Sequence, residues 1–82
     1  MLTKRQINLA IRNGSEEKLY EQLVTGLIRT KYSQHNVEAI INNYLDEPSN
    51  EKYLNEFTTL QEFRKQCKAQ AKALINEVKG EL

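Results

Sequence analysis

Residues 49–79, SNEKYLNEFTTLQEFRKQCKAQAKALINEVK, decide the fold. Tyr53, Phe57, Leu60, Cys67, Ala71, Leu74 and Val78 keep to one side of a helical wheel and return to it every seven residues. That is the spacing of a helix that packs lengthwise on its neighbours, as in a coiled coil. Arg64 is the one interruption of the seam, and Phe63 and Ile75 broaden the apolar stripe beside it. At ~1.5 Å per residue such a helix runs ~45 Å, longer than a domain of this size is wide. Its stripe needs cover from the first half of the chain or from another protein. The spacing predicts an unbroken helix over 50–79. Thr59-Leu60-Gln61-Glu62, a capping-box pattern beside the β-branched Thr58, marks where it would bend or restart.

Moving outward from this helix, Asp46-Glu47-Pro48-Ser49-Asn50 is the strongest punctuation in the chain. Pro48 cannot continue a helix, and Ser49 or Glu47 is suited to start the next. Before it, Val37, Ile40, Ile41, Tyr44 and Leu45 form an apolar stripe with Glu38, Asn42 and Asn43 facing water, and Ser33 is its natural cap. Further back, Leu19, Leu23, Val24, Leu27 and Ile28 share one side of a helix opened by Ser15. Glu16 and Glu17 sit in its first turn, where carboxylates meet the positive end of the helix dipole. Gly26 lies inside this helix at a cost of ~1 kcal/mol relative to Ala, which predicts a close crossing by a neighbour. Thr3 and Gln6 form a capping-box pair, Ile7, Ala10 and Ile11 make a short stripe, and Asn13-Gly14 ends it because Gly accepts a left-handed turn. The fold class is therefore all-α. One domain over 1–82 is expected, a three- to four-helix bundle with helices over about 4–13, 16–31, 34–46 and 50–79 and a long C-terminal helix.

Composition narrows the partners. Eighty-two residues fit one domain, marginally stable unless its helices pack well or the chain oligomerises. Its 39% apolar and 28% charged residues describe an ordered globular chain. The net charge of +1 gives no field to steer the whole molecule to nucleic acid. The charges lie in blocks, however. Residues 1–32 carry six Lys/Arg against three Asp/Glu, residues 33–62 one against six, and residues 63–82 five against two, giving +3, −5 and +3. An antiparallel bundle would lay the acidic middle against its basic neighbours. A single Cys fits a reducing compartment. No apolar run approaches the ~20 residues that span a bilayer. Residues 1–6 lack the pattern of a secretory signal. A soluble cytoplasmic protein is expected, with no membrane contact.

Candidate chemistry is sparse. His35 has Glu38 three positions on, but one His and one distant Cys cannot supply the ~4 ligands of a structural zinc site. Cys67 in the seam lacks a basic partner that would activate it, and no Gly-rich phosphate loop is present. No enzyme activity, metal or cofactor is expected. A helix-turn-helix can be drawn with Gln34, His35 and Asn36 opening its recognition helix, yet that helix carries Glu38, Asp46 and Glu47 and no Lys or Arg, which would face phosphates with negative charge. Arg64, Lys65, Lys68 and Lys72, the last three on one face, are the better basic candidates and the candidate interaction surface.

Two stretches also carry a resemblance. Ile28-Arg29-Thr30-Lys31-Tyr32-Ser33 followed by Glu38-Ala39-Ile40-Ile41, and Tyr53-Leu54-Asn55-Glu56-Phe57 running into Phe63-Arg64-Lys65-Gln66-Cys67-Lys68-Ala69-Gln70-Ala71-Lys72, resemble a group of very small proteins of tailed bacteriophages and prophages. That group has an Ile-Arg-x-x-Tyr-Ser turn, an acidic residue before Ala-Ile, and a Cys-Lys-Ala-x-Ala-Lys helix. The likeness spans about half the chain. It departs at Asn42, where the group tends to have Arg, and residues 3–13 have no counterpart. The resemblance implies a phage or prophage origin in a bacterial host cell, without implying an activity. Physically, Arg29, Tyr32 and Ser33 are expected to hold the turn between the second and third helices, the ring filling the bundle end and the guanidinium reaching the last carbonyls. The sequence points to an accessory protein that acts through an unidentified protein partner, for instance in virion morphogenesis, with homodimerisation through the C-terminal helix. The competing expectation is a small regulator of nucleic acid or of a host defence protein.

Overall fold

In the computed structural model, which describes residues 3–80, four helices follow one another: α1 Lys4–Arg12, α2 Glu16–Arg29, α3 Gln34–Asp46 and α4 Glu51–Gly80. Residues 1, 2, 81 and 82 lie outside the description, and with them the start of the N-terminal stretch read above against a signal. The fold class is all-α, as predicted, with no strand among the described residues. The predicted ends differ from the observed ones by at most two residues, the scale on which helix ends fray.

Each junction has a local cause. Thr3 and Gln6 form the expected capping box, the Gln6 amide donating to Thr3 Oγ1 at 3.2 Å and the Thr3 amide to Gln6 Oε1 at 2.9 Å. α1 ends in a Schellman turn. The Ser15 amide donates to the Ala10 carbonyl at 2.8 Å and the Gly14 amide to that of Ile11 at 3.2 Å, with Gly14 at φ 73. Ser15 makes no side-chain cap, contrary to expectation, because its backbone (φ −98, ψ 26) is not in the extended region a capping residue adopts. Ser33 is extended and does cap α3, its Oγ accepting from the Asn36 amide at 3.0 Å. After Pro48 the capping side chain is Asn50 and not Ser49 or Glu47, with Asn50 Oδ1 accepting from the Tyr53 amide at 3.2 Å.

The long helix runs through Thr58 without a break. Its burial follows the predicted seam at Leu60, Cys67, Ala71 and Val78, but the last turns depart from it: Ile75 is buried and Leu74 only half-buried. A straight helix of 3.6 residues per turn drifts away from a seven-residue repeat, so a seam counted in sevens slips by its fourth repeat. Arg64 sits in the seam half-buried.

α4 is covered in two unequal portions. Two ion pairs, Lys4 to Glu77 at 3.1 Å and Lys79 to Glu16 at 2.6 Å, place the starts of α1 and α2 at the C-terminal end of α4. Along that half Ile7, Leu19, Leu23, Val24 and Ile28 close over Cys67, Ala71, Ile75 and Val78 to form the core. α2 then hands over to α3, which continues antiparallel along the N-terminal half of α4. There α3 packs on α4 alone or nearly so, and none of its residues is fully buried. The expectation of a buried α3 stripe is corrected accordingly: Val37, Ile40, Ile41 and Tyr44 are half-buried and Leu45 is 67% exposed. Two helices cannot enclose each other's apolar faces. The result is a three-helix base carrying a two-helix arm, 49 Å long and 18–19 Å across. Its radius of gyration, 15.6 Å, exceeds the ~12 Å of a compact chain this long.

Gly26 was expected to face a close crossing. It is exposed instead, and a Cβ built there meets nothing within 4 Å. The glycine has no packing role.

Candidate interaction surface

The turn from α2 to α3 lies midway along the molecule, where base and arm join. Tyr32 packs its half-buried ring against Phe63 of α4, centroids 5.6 Å apart and tilted by 54°. The Lys31 ammonium lies 5.1 Å from the Phe63 centroid and 5.7 Å from that of Tyr32, within cation–π range. Arg29 donates to the Tyr32 carbonyl and to the Gln34 side chain, which itself donates to Glu38 at 2.9 Å. Arg29, Tyr32 and Ser33 thus form one turn, as predicted, but Tyr32 fills the middle of the molecule and not a bundle end. The physical reason is that α3 continues along α4 beyond the turn.

From this junction the arm extends to a tip at 46–50. Its two helices are held face to face by Tyr44 and Phe57, whose rings stack 4.1 Å apart and nearly parallel at 9°. On one side of this contact Ile41 and Arg64 line a common groove with Gln34, Val37 and Glu38. Leu45 lies one helical turn beyond Ile41, Phe57 lies one heptad before Arg64, and Leu54 one turn before Phe57, so helical periodicity carries the same side along both helices. The half-buried Ile41 and Phe57 and the exposed Leu45 and Leu54 therefore make one apolar side of the arm, with Thr25, Ile28 and Arg29 of α2 bordering its Ile41 end. Leu54 is 41% exposed. Sequence reasoning missed this face. It counted Leu45 and Ile41 as core and did not single out Leu54 for burial or exposure.

Charge differs between the two ends of the arm. The tip carries Asp46, Glu47 and Glu51 beside Lys52, and the root carries Arg64, Lys65 and Lys68 beside Glu38. The acidic middle shares grooves with basic neighbours, Glu38 with Arg29 and Arg64 and Glu56 with Lys31, but closes no ion pair with them. Among the described residues no ion pair involves residues 33–62, and none involves Arg64, Lys65, Lys68 or Lys72. The predicted basic row divides: Arg64, Lys65 and Lys68 stand at the root of the arm, whereas Lys72 lines a second groove, between α2 and α4, with Glu16, Glu17 and Tyr20.

His35 is exposed at the start of α3. Cys67 is a free, buried thiol, and burial pushes its pKa up, the opposite of what an attacking thiolate needs. Among the described residues no three His, Cys, Asp or Glu side chains gather as metal ligands would, and no helix is long and apolar enough to cross a membrane. Comparison of the chain with protein-family models, curated proteins and solved structures finds no match.

Proposed function

We propose that this chain is a non-enzymatic accessory protein of a phage or prophage that acts by protein–protein interaction, with assembly of the virion as the process it serves. One observation carries the interaction reading. A two-helix arm exposes Leu45 and Leu54, 67% and 41% accessible, beside the half-buried Ile41 and Phe57, and large apolar side chains left together on a small surface mark a place where another protein sits. The phage setting comes from the resemblance carried by residues 28–33, 38–41, 53–57 and 63–72. The bacterial cytoplasm is where such a protein would act.

Nucleic acid fits this surface poorly. The end of the arm is acidic, and Gln34, at the start of the helix that would read a groove, is engaged by Arg29 and Glu38. Of the regulatory functions, capture of a host protein would use the same apolar face.

Affinity capture of the tagged chain from phage-producing bacteria tests the proposal. Enrichment of a virion or assembly protein that is lost with Leu45→Glu or Leu54→Glu is the expected outcome. Enrichment of host nucleic acid, with affinity falling steeply as salt rises, would overturn it.

A further inference from the structure

We infer that the occupant of the arm is a second copy of this chain, laid antiparallel so that each acidic tip meets the other copy's basic root. The inference rests on the reading of the arm as an interaction surface and names its partner.

Symmetry supplies the reason. A two-fold interface joins one patch to itself, so the patch must be self-complementary about its own centre. The apolar face meets this condition. Tyr44 stacks on Phe57, which sets Leu45 near the height of Phe57, with Ile41 about one turn towards the root and Leu54 about one turn towards the tip. The face is thus centred near Phe57. From that centre Glu51 lies six residues towards the tip and Arg64 seven towards the root, ~9 and ~10 Å at 1.5 Å per residue. A two-fold axis through Phe57 brings Glu51 of one copy to the height of Arg64 and Lys65 of the other. The apolar residues meet one another at the axis. Glu51, Arg64 and Lys65 have no ion-pair partner among the described residues of their own chain. A parallel pairing would instead set tip on tip and acid on acid. A basic peptide of another protein would satisfy the tip alone and leave the root unpaired.

The C-terminal half of α4, including Val78, is already covered by α1 and α2, so pairing along the whole helix gives way to pairing through the arm.

Sedimentation velocity of the intact chain over a range of concentrations tests this directly. A monomer–dimer equilibrium is expected. Leu45→Glu and Leu54→Glu should each weaken it by at least ~10-fold, the ordinary effect of losing a central contact. Both side chains are exposed in the monomer, so an unchanged helical circular dichroism spectrum confirms that the variants fold. Register is read by charge reversal. Lys65→Glu should weaken the dimer, and adding Glu51→Lys to the same chain should restore it. A monomeric mass at every concentration overturns the proposal, as does a dimer indifferent to both leucine variants. Failure of the second reversal to restore association overturns the antiparallel register. The two readings fail separately: a monomer that still captures a virion protein removes the second copy and leaves the accessory function, and a dimer that captures none does the reverse.

Discussion

Gly26 and Gly14 show how one residue type takes opposite roles in neighbouring elements. Gly26 lies exposed inside α2 with open space where a side chain would be. Gly26→Ala should therefore raise stability by ~0.5–1 kcal/mol, since a helical glycine loses more backbone freedom on folding than alanine and gains nothing here in packing. Gly14 sits at φ 73 in the turn that ends α1. Gly14→Ala should cost ~1 kcal/mol because a Cβ is strained in the left-handed region. Urea midpoints of the two variants should move in opposite directions. Cys67 yields a pH prediction. Its thiol is buried and its pKa raised by desolvation, so as the pH climbs the unfolded chain loses its proton first. The stability this group confers is complete below the unfolded thiol pKa of about 8.5 and is lost as the pH rises towards the folded value. The alkaline decline should be shallower in Cys67→Ala, and a thiol reagent should label wild type at a rate set by opening of the fold.

The elements divide according to how many neighbours each one has. α2 faces α1 as well as α4, and its Leu19, Leu23, Val24 and Ile28 are buried. α3 has a comparable apolar stripe and buries none of it completely. Leu23→Ala should cost ~2–5 kcal/mol, a large share of what holds a domain this small together. Ile40→Ala, taken from a half-buried site, should cost about 1 kcal/mol, since less apolar area leaves contact with protein. Equal costs for the two substitutions, measured below any self-association, would contradict the division into base and arm. The capping chemistry was legible in the sequence wherever it depends on neighbouring residues alone. Thr3 with Gln6 and Ser33 with Asn36 cap as expected, but Ser15 does not, because the Schellman turn around Gly14 sets the Ser15 backbone.

At the scale of the molecule, base and arm should differ in dynamics. In the monomer, amides of α3 and of the first half of α4 should exchange with solvent through smaller openings than those of α1, α2 and the second half of α4, because few buried contacts oppose local opening there. Hydrogen exchange resolved by residue checks this, and protection in the arm should grow with protein concentration if two arms pair. The apolar spacing of residues 49–79 determined by itself that this part of the chain is helical and that its helix is long. Helical periodicity is local, and every apolar residue reports the face it lies on. The same spacing gave Val37, Ile40, Ile41 and Leu45 the same signature as Leu19, Leu23, Val24 and Ile28. Periodicity identifies the face that seeks cover and says nothing of whether cover is available. Tertiary structure alone decided that, by placing α1 and α2 over one half of α4 and, among the described residues, leaving the other half to α3. The interaction surface follows from the same placement, since an apolar face becomes a docking site only where the chain has no further helix to lay across it.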